Sequence, residues 1–224
     1  QTTVSSDGIG QSAFSDLVIT TVGSYSIEFN ADGVSESATT QQFDVSPAAA
    51  STLTIDSGNN QSGTVGQALA NSLVVLIADE FGNSIAGEEV TFEISSTPTG
   101  SSGSSLTETT VQTDANGLAS TSLTLGNSAG TYEVTASADG LDAVTFTATA
   151  TAGSVSTFAF ESISSPQTAG SAFEISIDAL DSEGNIVTGY SGTATLTSSA
   201  GTVSPNSVTF ANGEATLNVS VSNA

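Results

Sequence analysis

The chain has 224 residues, 23 of them Asp or Glu and none Lys, Arg, His, Cys, Met or Trp, so its formal charge is −23. Without cationic side chains it cannot clamp phosphates, which excludes nucleic-acid binding through a basic footprint and argues against direct adsorption to an anionic membrane. Without Cys or His there is no disulfide, no thiolate chemistry, no Cys-type zinc site and no Ser-His-Asp triad, and without Lys no Schiff base and no Lys–Asn isopeptide cross-link.

No side-chain ion pair can form within such a chain. Each carboxylate must be solvated, hydrogen-bonded, or paired with a solution cation. Charged residues make up 10% of the sequence, all of them acidic, against about a quarter in ordinary soluble domains. The loss of Lys and Arg reads as selected. It fits a surface exposed to trypsin-like proteases, or low nitrogen use in poor water, and both place the chain outside the cell or on its surface. Intracellular halophile proteins carry many more acids. The longest apolar run, Leu73-Val74-Val75-Leu76-Ile77-Ala78, is too short to span a membrane, and no stretch reads as a signal peptide. Repulsion among the carboxylates is expected to raise their folded-state pKa values. Salt, divalent cations and moderate acid should then all stabilise the fold.

In chain order, the predicted elements are strands punctuated by turns. After an Asp7-Gly8 turn comes the alternating run Tyr25-Ser26-Ile27-Glu28-Phe29. Phe81-Gly82-Asn83 is a turn, Val90-Thr91-Phe92-Glu93-Ile94 a strand, and Thr97 to Thr107 a Ser/Gly/Thr-rich solvated loop that is also a candidate for O-glycosylation. Turns follow at Asn116-Gly117 and Asp139-Gly140. The strand Phe173-Glu174-Ile175-Ser176-Ile177, turns at Gly184-Asn185 and Asn212-Gly213, and the strand from Ala215 to Val221 complete the series. No window holds a 3.6-residue period. About seven short strands per roughly 100 residues is the count of an Ig-like sandwich, and Tyr25 and Tyr132 stand where such folds place a corner tyrosine.

The chain repeats itself. Thr2-Thr3-Val4 matches Thr109-Thr110-Val111. The same register pairs Asp7 with Asp114, Gly10 with Gly117, Gly23-Ser24-Tyr25 with Gly130-Thr131-Tyr132, and Ala31-Asp32-Gly33 with Ala138-Asp139-Gly140. A second register pairs Ser51-Thr52-Leu53 with Ser156-Thr157-Phe158, Asp79 through Gly82-Asn83 with Asp181 through Gly184-Asn185, and Gly87 with Gly189. Ala115-Asn116-Gly117 recurs as Ala211-Asn212-Gly213. Residues 49–151 therefore read as a complete module. Residues 1–48 read as the C-terminal half of a module, and 152–224 as the N-terminal two-thirds of a third. The linkers Ser46-Pro47-Ala48-Ala49-Ala50 and Ala150-Thr151-Ala152-Gly153-Ser154 are too short for a floppy tether, so the expected fold class is all-β: tandem Ig-like antiparallel β-sandwich modules in a rod-like array. The half-modules have two readings: a window on a longer tandem array, or subunits that complete each other head to tail by strand addition.

The stretch from Asp79-Glu80-Phe81-Gly82-Asn83 through Gly87 and Val90-Thr91-Phe92 resembles bacterial Ig-like domains of the invasin and intimin type. So do Thr113-Asp114-Ala115-Asn116-Gly117-Leu118 and Ala129-Gly130-Thr131-Tyr132-Glu133-Val134. The resemblance covers the middle module and the first half-module; the third module keeps the Asp-x-x-Gly-Asn turn and diverges elsewhere. It implies an antiparallel Ig-like sandwich serving as a stalk or spacer in surface adhesins and extracellular fibres. It carries no catalytic residues.

The candidate sites are few. Asp79 and Glu80, with Glu88 and Glu89 nearby, are candidate Ca²⁺ ligands, as are their counterparts Asp181 and Glu183, and Asp139 and Asp142 near a module end. The bland reading of these acids is a polar turn in which Asp accepts backbone N–H bonds. No cofactor is required. Asn60 and Asn218 open glycosylation sequons. A carboxylate pair able to cleave a glycoside is the only enzymatic route left, and the acids are too scattered for it, so no enzyme is expected. The expected function is a structural segment of a secreted or cell-surface filament or adhesin stalk, partnered by copies of itself or by adjacent Ig-like modules. The alternatives are a glycan- or protein-binding module, with Tyr190 its best aromatic, and a virion or S-layer decoration.

Overall fold

The computed structural model describes residues 17–222 apart from 31, 34 and 169; the Asp7-Gly8 turn and the first repeat matches lie outside these. Among the described residues every regular element is a strand. The strands fall into three groups that share no sheet.

The first group is one antiparallel hairpin. Strand β1 (Gly23–Tyr25) pairs with β4 (Phe43–Val45), and β2 (Glu28–Phe29) with β3 (Ala38–Thr39). The predicted Tyr25-to-Phe29 strand is split between β1 and β2, with Ser26 and Ile27 outside either, and of the five only Tyr25 is partly buried.

The second group is a two-sheet sandwich. Its strands are β5 (Ala50–Ser57), β6 (Gln61–Thr64), β7 (Leu73–Asp79), β8 (Glu89–Ser96), β9 (Ser105–Leu106), β10 (Thr110–Gln112), β11 (Leu118–Thr121), β12 (Leu123–Thr124), β13 (Gly130–Ala138) and β14 (Val144–Thr151). One sheet runs β10-β8-β13-β14-β6, the other β11-β7-β5, with β12 and β9 as a short pair. All pairings are antiparallel except β14 with β6. Period-2 alternation produces this layering, because every second side chain faces the opposite sheet. Val90 and Phe92 from β8, Tyr132, Val134 and Ala136 from β13, and Leu73, Val75 and Ile77 from β7 meet in one core. Each fully buried large apolar side chain contributes about 1.5–3 kcal/mol relative to exposure.

The third group has β15 (Thr157–Phe160), β16 (Phe173–Leu180), β17 (Thr193–Thr195), β18 (Thr202–Ser204), β19 (Ser207–Thr209) and β20 (Glu214–Ser222). Four of these form a sheet in the order β15-β16-β20-β18, and β17 pairs with β19. The core is smaller, built on Ile175, Ile177, Ala179, Val208, Phe210, Ala215 and Val219.

Two expectations need correction. The Thr97–Thr107 segment is partly ordered rather than a solvated loop. Strand β9 pairs with β12, Leu106 packs on the core, and Ser101 Oγ lies 2.6 Å from the Tyr132 hydroxyl. Its Ser and Gly content hid one short strand. Tyr190 is not an exposed platform: its ring packs against Phe158 at 5.5 Å and Phe210 at 5.2 Å. The corner tyrosines are where expected. Tyr25 donates its hydroxyl proton to the Thr21 carbonyl at 2.9 Å, and Tyr132 to Ser128 at 2.9 Å, each four residues back.

Glycine at the Asn116-Gly117 turn is required twice over. Its φ is +74°, and a Cβ there would lie 2.6 Å from the Ile77 carbonyl oxygen. Gly82 shares the conformation, at φ +84°, with open space around it. Gly82→Ala should therefore cost about 1–2 kcal/mol from backbone strain alone, and Gly117→Ala clearly more. Urea unfolding of the two variants checks this, and equal midpoints would refute the steric part.

Candidate functional site at the module junctions

Strand β7 ends at Asp79, and β16 ends one residue before Asp181. Each aspartate caps a five-residue turn that closes on an asparagine. Asp79 N–H donates to the Asn83 carbonyl at 2.9 Å, and Gly82 N–H to the Asp79 carbonyl at 3.1 Å. The carboxylate is folded over its own turn: Oδ1 accepts from the N–H groups of Phe81 at 2.9 Å and Asn83 at 2.8 Å. This is an Asx-type turn, and it leaves Oδ2 pointing away.

Oδ2 is what makes the turn a joint. It accepts from the Asn83 side-chain amide at 2.8 Å and from the backbone N–H of Ala48, in the linker, at 2.9 Å. The second proton of the Asn83 amide goes to the Thr20 carbonyl at 2.8 Å, and Asn83 Oδ1 accepts from the Val22 N–H at 3.1 Å. Both donors and the acceptor of the amide are thus engaged, which sets its orientation. One Asp–Asn pair ties together the turn after β7, the linker, and the segment leading into β1.

The second junction repeats the first atom for atom. Asp181 Oδ2 accepts from the Gly153 N–H at 2.9 Å, and Oδ1 from Glu183 and Asn185 N–H, both at 2.9 Å. The Asn185 amide donates to Asp181 Oδ2 at 3.0 Å and to the Asn127 carbonyl at 2.9 Å, and accepts from Ala129 N–H at 2.8 Å. Thr20 and Val22 correspond to Asn127 and Ala129 in the register that pairs Tyr25 with Tyr132. Each clamped segment is also held from inside. The corner tyrosine bonds the residue between the two that the asparagine grips, Thr21 in one case and Ser128 in the other.

Asp79 and Asp181 are 2% and 3% exposed. Burial pushes both carboxyl groups up. At Asp79 the amide of Asn83 and the N–H groups of Ala48, Asn83 and Phe81 outweigh it and bring the pKa down to about 2. At Asp181 burial is likewise outweighed, by Gly153, Asn185 and Glu183, and the pKa is lowered. Asp114 is lowered chiefly by the N–H groups of Leu118 and Asn116. Hydrogen bonds to the charged form favour it. Acid-driven stabilisation through raised carboxyl pKa values is therefore reversed at these three groups.

The acids singled out as Ca²⁺ ligands do not converge. Among the described residues no three acidic side chains are placed to hold an ion together. Asp79 and Asp181 spend their oxygens on N–H donors, while Glu80, Glu88, Glu183, Asp139 and Asp142 are exposed on turns and loops. Asn60 is exposed on the turn before β6 with φ +56°, and Asn218 is exposed on β20 opposite Glu174. An open cleft of about 530 Å³ lies beside the second junction, with Asp181 and Glu183 its only acids. Asn83 and Asn185 were not recognised as functional from sequence. Overlaying the two repeat registers would have shown that every partner in the joint recurs.

Linkage gives the clamp a pH signature. A carboxylate whose pKa is depressed on folding contributes stability above its unfolded value of 3.8, and that contribution is lost as pH falls through the folded value of about 2. The amide resonances of Ala48, Phe81 and Asn83 should therefore shift together with an inflection near pH 2. An inflection near 4 would show that the carboxylate is not clamped.

No protein-family model and no curated protein sequence matches the chain. Solved structures do. The Escherichia coli adhesin FdeC matches with a TM-score of 0.50 at 20% identity, over 92% of this chain and 67% of that one. Domains 4–9 of the surface layer protein SbsC match at 0.37 and 16% identity, over 99% of this chain and 38% of that one. The Yersinia pseudotuberculosis adhesin InvE matches at 0.37 and 24%, over 67% and 46%. At these identities the likeness to FdeC bears on fold: the chain is all-β, with the Ig-like sandwich of bacterial adhesin domains.

Proposed function

We propose that this chain is a structural segment of a secreted or cell-surface stalk or filament, built from tandem Ig-like modules joined by Asp–Asn clamps. The observation that carries the reading is the repetition of one joint at both junctions. Linker, turn and preceding segment are gripped by equivalent atoms each time. A chain whose modules merely followed one another would have no reason to fix them twice in the same way. Two buried carboxylates held by linker N–H groups stiffen the joint, because bending it would strip charge-assisted hydrogen bonds from a buried anion. Head-to-tail growth by strand addition is the finer form of the proposal.

The composition supports an external location. A surface without Lys or Arg offers trypsin-like proteases no cleavage site. FdeC is an adhesin, which agrees with a place on a cell surface. Catalysis finds no support in the arrangement, since the two most buried carboxylates are engaged by N–H donors.

Small-angle scattering tests the reading. The wild-type chain should give the pair-distance distribution of a stiff rod, with one maximum set by its thickness and a long tail. Asp181→Ala with Asn185→Ala should shorten the tail and broaden the conformer distribution, while the β-sheet circular dichroism and the melting of the second strand group stay close to wild type. A compact wild-type particle, or a variant with unchanged scattering, would overturn it.

A further inference from the structure

The asparagine clamp at the second junction grips a segment that is itself gripped from behind. Asn185 holds the Asn127 carbonyl at 2.9 Å and the Ala129 N–H at 2.8 Å. The same segment, 126–130, lies against the loop 98–103 of the second strand group. That loop is folded by a turn of its own, in which the Ser101 N–H donates to the Pro98 carbonyl at 3.0 Å.

Loop and segment are joined by reciprocal bonds. The Ser102 N–H donates to Asn127 Oδ1 at 2.8 Å, and the Asn127 N–H donates back to the Ser102 carbonyl at 3.0 Å. A second arm runs through the corner tyrosine. The Tyr132 hydroxyl gives its single proton to the Ser128 carbonyl, so Ser101 is the donor in its 2.6 Å pair with that hydroxyl. The packing is close. A Cβ on Gly126 would lie 2.7 Å from the Ser102 carbonyl oxygen, and one on Gly130 would lie 3.0 Å from Pro98 Cγ.

Asn127 therefore works in two directions. Its side chain and N–H serve the loop, and its carbonyl serves Asn185. Tyr132 is fully buried in the second core, so the path of the loop is fixed by that core and passed outward to the joint. The segment is ordered within its own strand group, and Asn185 closes on an acceptor and a donor already in place. We propose that the loop 98–103 is a brace for the second junction and that Asn127 is its positioning residue, holding 127–129 on the path over which the Asn185 amide closes. The inference rests on the stalk reading and names what controls the stiffness of that joint. Thr99, Gly100, Ser102 and Gly103 open the outer side of the loop to solvent. A contact made there acts on the joint through two hydrogen bonds, Ser102 to Asn127 and Asn127 to Asn185.

Asn127→Ala removes the side-chain acceptor that the loop uses and leaves the carbonyl that Asn185 grips. The Ala129 and Gly153 amides donate to Asn185 and Asp181 and report on the clamp. In the full-length variant their hydrogen exchange should speed up about tenfold, the opening expected when the support of one hydrogen bond is lost. Ser101→Ala, which cuts the other arm, should move the same two amides in the same direction. The Ile77 and Phe92 amides, in the body of the second group, and the Ala48 amide, at the first junction, should keep wild-type rates. Unchanged exchange at Gly153 in either folded variant would overturn the brace. So would equal acceleration at Ile77 and Phe92, which marks a general loss of stability. The stalk stands or falls separately. A compact wild-type particle would sink the stalk and leave these rates as they are, whereas a rod-shaped wild type with unchanged exchange in the variants would sink the brace alone.

Discussion

A buried carboxylate with no cation to meet it is the constraint on which the joints of this molecule depend. In a chain with Lys or Arg, an aspartate at a domain boundary can be neutralised by a side chain. Here every acid must find hydrogen-bond donors, water or a solution cation. Asp79 and Asp181 find theirs in the linker backbone, in their own turns and in one asparagine each. Because the donors come from both sides of the junction, satisfying the charge and fixing the modules are one event. A backbone N–H cannot swing away as a lysine head can, so the joint depends on the chain path and not on a rotamer.

The same logic explains how a charge of −23 is tolerated. Most of the acids stand on turns and on outward-facing strand positions, such as Glu28, Glu93 and Glu174, where water and salt screen them. Asp79, Asp114 and Asp181 are taken into hydrogen-bonded turns, and the pKa of each is lowered. Local amide donors outweigh the cost of burial at those positions. Charge repulsion favours solubility, whereas the Asp–Asn clamps tie each linker to the turn beside it.

Much of the fold was legible because period-2 alternation is a local signal. Val90 to Ile94 and Phe173 to Ile177 announce which face is inward without reference to any other part of the chain. The Asn-Gly and Asp-Gly turns are equally local. What escaped was the non-local part. Strand β9 is two residues in a Ser/Gly-rich stretch, and only pairing with β12 makes it a strand. Tyr190 looked available because its partners, Phe158 and Phe210, lie far from it in sequence. Asp79 stood open between a cation ligand and a hydrogen-bonded polar turn, because a carboxylate beside other acids has the same local signature whether its partner is a metal or an amide; the turn is what the structure shows. Only the position of Ala48 and Thr20 in space separates the two, though the repeat in which those residues recur was visible from the start.

The single parallel pairing in the second group has a mechanical meaning. Strand β14 runs beside β6 with Ala148 opposite Gln61 and Thr151 opposite Thr64, and flanking bonds extend the ladder from Asn60 to Val65. Tension transmitted through a tandem array would enter this sandwich before β5 and leave it after β14. A pull on the end of β14 then acts along the strand, in the plane of its hydrogen bonds with β6. Parallel bonds are evenly spaced, so the load falls on the whole row at once and cannot peel it one bond at a time. The strand by which this second sandwich hands the chain on is thus seated in shear, the geometry that resists extension best.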